Sequence, residues 1–252
     1  MTAAEDFTDP YIAAFRRVPP AGTGICSVCQ RGVHSYDQLC YSCKVTTRQV
    51  VFPVAETLPI SFYEVPDQLW SVLRNYKDGR HPQVRRHLGA VVAATLARFL
   101  ASHWACVTGL VNGEPTVVTT VPSTSGRTGV HPLVTAVHRV AILRPLYREL
   151  LAVGDARIER LRATDRGFVT VDDLSDQRVL LVEDTFTSGA RTQSAASALR
   201  RGGAQSVGVL AVGRVVDQTH CGDCERVWRY AIAEPFRFDA CCRCTTDECP
   251  AA

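Results

Sequence analysis

The sequence predicts an α/β protein with a mainly parallel, twisted sheet and flanking helices, carrying small cysteine-rich segments at both ends. Three observations predict it. Val179-Leu180-Leu181-Val182 is an unbroken apolar run, the pattern of a strand buried on both faces. Strand-like and helix-like patterns alternate from about residue 71 to residue 212. The 11 cysteines fall into two groups, one from Cys26 to Cys43 and one from Cys221 to Cys249, with Cys106 between them.

Residues 1–20, ending in Val18-Pro19-Pro20, are expected to form a loosely held tail. Met1 to Asp9 carries Glu5, Asp6 and Asp9 around no apolar core, unlike a secretory leader. No apolar run approaches the roughly 18–20 residues that span a bilayer. The expectation is a cytoplasmic protein without membrane insertion. Its net charge of +3 is too small to argue for nucleic acid. In such a compartment disulfides are disfavoured, and CxxC knuckles point to metal. Residues 21–50 hold Cys26, Cys29, Cys40 and Cys43, two knuckles separated by ten residues. Four thiolates so spaced can close a tetrahedral structural Zn²⁺ site, whose binding would supply much of the folding free energy of so small a segment. His34, between the knuckles, is expected at the surface.

The main domain is assigned to 51–216. Ser71 to Arg80 reads as a helix running into a polar turn, and Pro82 suits the first turn of the next helix, where its missing N–H costs nothing. Leu88, Val91, Val92, Leu96, Phe99 and Leu100 follow helical spacing. Val117 to Val121 is a strand stopped by Pro122, followed by the polar loop Ser123 to Arg127 and a helix beginning near His131. Residues 179–182 form the central strand, 192–201 a helix ending at Gly202-Gly203, and Val207 to Val212 the next strand. Residues 217–252 form a second cysteine-rich segment. Cys221, Cys224, Cys241 and Cys244 restore the CxxC spacing and are the first choice for a second zinc, leaving Cys242 and Cys249 as alternatives or spare thiols; a redox-sensitive cluster is the competing reading.

The chemistry concentrates after the central strand. Glu183 and Asp184 stand at its C-terminal end, where ligands of open α/β sheets bind. Thr187-Ser188-Gly189-Ala190 then leads into a helix, whose first N–H groups favour an anion. Hydroxyls and glycine suit a phosphate, and the acids suit ribose hydroxyls and a hydrated Mg²⁺. A sugar phosphate is the physical reading.

This segment resembles the phosphoribosyl pyrophosphate (PRPP) signature of type I phosphoribosyltransferases. With the four-cysteine ribbon and the Tyr76-Lys77-x-Gly79 turn, the order of features is similar to the ComF-like branch of that family. The resemblance implies the type I phosphoribosyltransferase fold and a catalytic pair, Glu183 and Asp184, holding the ribose. Thr187, Ser188, Gly189, Ala190 and Arg191 would wrap the 5′-phosphate, while Ser123, Thr124 and Arg127 would cradle the pyrophosphate. Lys77 either contacts pyrophosphate or acceptor or is a solvated turn residue. Arg160, Arg162 and Arg166 are candidates to close over the site from a loop, or form a solvated face. Two departures stand out: Thr187 replaces an acid that purine-specific members often carry, and Arg191 replaces the usual Thr. The implied activity is transfer of phosphoribose from PRPP, with Mg²⁺, to a nitrogen-containing acceptor, with structural Zn²⁺ at one or two sites. The alternative is a non-catalytic PRPP- or nucleotide-sensing module linked to DNA uptake or metabolism, its zinc segments contacting protein or nucleic acid; a homo-oligomer is compatible with either. The ribbon is expected to stand apart from the ligand site.

Overall fold

A computed structural model describes residues 3–124, 129–220 and 224–244. Its centre is a four-stranded parallel sheet formed by β1 (Thr57–Tyr63), β2 (Val117–Thr120), β5 (Arg178–Phe186) and β6 (Ser206–Val215), in the order β1-β6-β5-β2. Val117 pairs with Val179, Leu181 with Val209 and Thr57 with Val209, so all four strands end at one edge. A short antiparallel hairpin, β3 (Leu151–Val153) with β4 (Phe168–Thr170), stands beside it. The predicted α/β class and parallel sheet are present. β1, β3 and β4 carry no long apolar run, and their assignment comes from the structure.

The apolar run of β5 serves both faces because successive side chains alternate. Leu180 and Val182 join Leu210 and Val212 in a core with α3 (Gln68–Asp78), α4 (Pro82–Leu110) and α5 (Pro132–His138). Val179 and Leu181 point the other way, onto Ala195 and Leu199 of α6 (Ala190–Arg201) and Phe168 of the hairpin. α4 is long and apolar enough to cross a membrane by length and composition, contrary to the expectation that no such run exists. Most of its apolar stretch is buried against the sheet and neighbouring helices, as in the core helix of a folded domain.

The N-terminal residues are not a loose tail. α1 (Ala3–Thr8) and the 3-10 turn Asp9–Ala14 lie along α4, where Arg98 donates to Thr8 and Asp9. Ala14, Phe15 and Val18 are buried, and Phe15 stacks on Phe236 at 5.2 Å. These contacts bring the N-terminal segment together with residues 236–238 on the α4 face. α2 (Tyr41–Thr47) closes the ribbon, and α7 (Cys224–Ala233) follows β6.

Candidate functional site

The carboxyl edge of the sheet opens into a cavity of about 1120 Å³ lined by Glu183, Asp184 and residues 187–192. Strand alternation sends the two adjacent acids to opposite faces. Asp184, on the face of Leu180 and Val182, meets the end of α3. That helix is capped by Asp67, which accepts from Trp70 N at 2.7 Å, and it buries Leu69, Val72, Leu73 and Tyr76 as one stripe. Its last turn thereby delivers the Tyr76 hydroxyl to Asp184 Oδ2, and Lys77 Nζ to Asp184 Oδ1 at 3.1 Å. Lys77 is therefore a partner of the acid and not a solvated turn residue. Gly79 ends the helix, where a Cβ would come within 2.5 Å of the Asn75 carbonyl oxygen.

Glu183 faces the other side, toward Arg191. Both acids are buried, yet they titrate apart. Burial pushes the Glu183 carboxyl up to about 7, with the Arg191 charge only partly offsetting it. Burial acts the same way on Asp184, but Lys77, the Tyr76 hydroxyl and His131 outweigh it and hold that carboxyl below its usual range. Two neighbouring carboxyls with separated pKa values form a site with one fixed anion and one group that changes charge near neutrality.

The loop after β5 turns through Gly189, whose φ of +81° lies in the left-handed region. A Cβ there would approach the Phe186 ring to 2.6 Å, so glycine is required by the loop's own packing. Gln193 N donates to Gly189 O, and the N–H groups that precede it in α6 have no acceptor within the helix. Ala190 N turns to Ser188 Oγ at 3.4 Å, and residues 190–192 line the cavity wall, the arrangement in which a helix N-terminus can face an anion. Thr187 is exposed, while Ser188 is buried and accepts from Leu161 N at 3.3 Å. Arg191 donates to the Pro122 carbonyl at 2.8 Å, tying α6 to the end of β2. Its buried Nε has no hydrogen-bond partner.

Ser123 and Thr124 follow β2 at this same edge, although neither lines the cavity. Arg127 lies outside the described residues. Of the three loop arginines, Arg160 lines the cavity, whereas Arg162 pairs with Glu159 and Arg166 with Asp155 at the surface.

Cys26, Cys29, Cys40 and Cys43 are buried with their sulfurs within 4.8 Å of one another, a group that could hold a metal ion. His34 is exposed, as expected. The ribbon does not stand apart from the ligand site. Arg31 and Ser42 line the cavity, and the cysteines pack on Phe186 and Ala211 of the sheet. Arg214, fully buried near the end of β6, donates to Cys29 Sγ at 3.4 Å and to the Phe186 carbonyl at 3.2 Å. Burial opposes ionisation of Cys29, but hydrogen bonds from the other three thiols and the Arg214 charge outweigh it, so its pKa falls well below the usual thiol value.

The second cluster differs from the predicted set. Cys241 and Cys244 meet His103 and Cys106 of α4, and the four ligand atoms again lie within 4.8 Å. Cys224 is not among them. It is disulfide-bonded and sits against the ribbon, where Arg31 Nε donates to its sulfur at 3.2 Å. Cys221 lies outside the described residues. The local CxxC rule paired knuckles by sequence spacing, but α7 carries Cys224 away from Cys241. His103 and Cys106 are i, i+3 at a bend of α4, a signal visible in the sequence only once their partner knuckle is known.

No protein-family model matches the chain, and no curated protein matches it in sequence.

Proposed function

We propose that the chain binds PRPP and transfers its phosphoribosyl group to a nitrogen nucleophile, releasing pyrophosphate. One observation carries this reading: an acidic pair at the end of the central parallel strand shares a cavity with a left-handed glycine loop that opens a helix. Glu183 and Asp184 would accept hydrogen bonds from the ribose hydroxyls, and the α6 N–H groups with Thr187 would take the 5′-phosphate. Arg160 and Lys77 would lie near the pyrophosphate. In the reaction the C1–O bond to pyrophosphate breaks and an N–C1 bond forms, while the nucleophile's proton passes to solvent or a base. The site would contribute orientation, charge and exclusion of water. The carboxylate oxygens of Glu183 and Asp184 are hard ligands suited, directly or through water, to Mg²⁺, which would offset the charge of the departing pyrophosphate.

A sensing module is favoured by one feature. Thr187, unlike a carboxylate, cannot accept a proton from the acceptor. Isothermal titration with PRPP, with and without Mg²⁺, tests binding, and pyrophosphate release across candidate acceptors tests turnover. Binding should need Mg²⁺. Glu183→Gln with Asp184→Asn should weaken it by about a hundredfold or more, since each charge-assisted hydrogen bond contributes roughly 1.5–3 kcal/mol. Unchanged affinity in the folded double variant removes the ribose assignment; binding without pyrophosphate release for any acceptor selects the sensor.

A further inference from the structure

We propose that His103, Cys106, Cys241 and Cys244 form a structural zinc site that clamps the C-terminal segment onto the end of α4. Cys241 Sγ lies 3.5 Å from Cys106 Sγ and 3.4 Å from Cys244 Sγ, and Cys244 Sγ lies 3.6 Å from His103 Nδ1. A tetrahedron with Zn–S near 2.3 Å and Zn–N near 2.0–2.1 Å has S···S edges of about 3.8 Å and S···N edges of about 3.6 Å. The cluster has nearly those edges, as does the ribbon, where Cys29 and Cys40 are 3.8 Å apart.

The protein backbone is shaped around this cluster. α4 is apolar and has no proline within its last turns, yet it leaves helical geometry at His103, with φ −127° and ψ 23°. The bend falls on the residue that supplies the nitrogen. His103 is fully buried, its ring 4.5 Å from that of Phe99. Cys106 is also buried. Without an ion, three thiols and an imidazole packed into apolar surroundings form a poor core; with one, they become a single satisfied unit.

The donor set selects the ion. Three sulfurs and one imidazole suit Zn²⁺ and exclude Mg²⁺ and Ca²⁺, which take oxygen. Four protein ligands leave no open position, so the site is structural. What it holds is also visible. The segment from Phe236 to Cys244 has little regular structure, and it is anchored by Phe236 and Phe238 against Phe15 and by Arg243 to Glu56, just before β1. A metal joining it to α4 fixes it at the amino edge of the sheet, away from the ligand cavity.

Zinc content and X-ray absorption of the purified full chain test the proposal. The expected result is two zincs per chain, sharing seven sulfurs and one imidazole nitrogen. Cys106→Ser and His103→Ala should each lower the count to one, and Cys224→Ser should leave it at two. The absorption measurement on the unmutated chain decides the case even where a variant fails to fold. One zinc with four sulfurs only, a Cys106–Cys241 disulfide found by mass spectrometry, or loss of one zinc in folded Cys224→Ser would each overturn the assignment.

Discussion

The two cysteine clusters use nearly the same ligand chemistry but occupy opposite places in the molecule. Cys26 to Cys43 lie in one short segment, on the α6 face of the sheet, and their packing on Phe186 joins them to the ligand loop. In the second cluster, Cys244 and His103 are 141 residues apart, and the group lies on the α4 face toward the amino edge. Arg214 makes the difference concrete. It reaches from β6 to Cys29 and also lines the cavity, so charge at the first cluster is linked to the ligand site by one side chain. No such link connects the second cluster to the cavity among the described residues. Similar donor sets thus stand beside a cavity wall at one pole and between α4 and the C-terminal segment at the other.

For the comparison of the two clusters, the largest expected change in ligand affinity would come from emptying the first. Cys26→Ser should lose the ribbon zinc and, with it, tenfold or more in PRPP affinity, because Arg31, Ser42 and the support of Phe186 go together. Titration of the folded, zinc-depleted variant checks this, and unchanged affinity would return the ribbon to an independent module. Next comes the link itself. Arg214→Met removes the cation facing the thiolates and should destabilise the protein by about 3–5 kcal/mol, the cost of leaving buried charge unpaired. Urea denaturation measures it; a loss below about 1 kcal/mol would mean that the negative charge left on the metal–thiolate cluster is met by groups other than Arg214.

The acids supply a third, pH-dependent contrast. Because the folded Glu183 pKa is raised to about 7, the unfolded chain ionises first as pH rises. Stability of the ligand-free protein should fall between about pH 4.5 and 7, by on the order of 3 kcal/mol in total, and then level off. Asp184 works in the opposite sense: its stabilisation is present above the usual carboxylate range and is lost as pH falls through its depressed pKa. Glu183→Gln should remove the neutral-range slope in denaturation curves; a slope that persists must come from another group. The smallest effect is expected from Cys244→Ser on ligand binding. Its thermal midpoint should drop, but PRPP affinity should stay within about twofold, and a larger change would show that the two poles communicate.

Much of the candidate site is legible in the sequence. The apolar run from Val179 to Val182, the acids after it and the small-residue loop are contiguous, so local patterning and chain direction suffice to place them at a strand end. The ribbon cysteines were legible for the same reason. What failed was longer in range. The sparse apolar positions of the N-terminal residues predict a loose tail, yet Phe15 finds Phe236 and Phe238, more than 200 residues on. Lys77 was ambiguous until α3 packed its last turn over Asp184. The glycine of the loop suggested room for phosphate, whereas its nearest constraint is the Phe186 ring.

The sequence by itself determined the α/β class, the central strand with its acids and loop, and the ribbon's four-cysteine group, since each is set by neighbours within a few residues. Only the tertiary structure decided that Asp184 takes Tyr76 and Lys77 while Glu183 turns toward Arg191, that the ribbon walls the cavity, and that Cys241 and Cys244 belong with His103 and Cys106. These depend on which faces are buried together. Side-chain alternation and helix docking, rather than spacing along the chain, determine which distant groups meet.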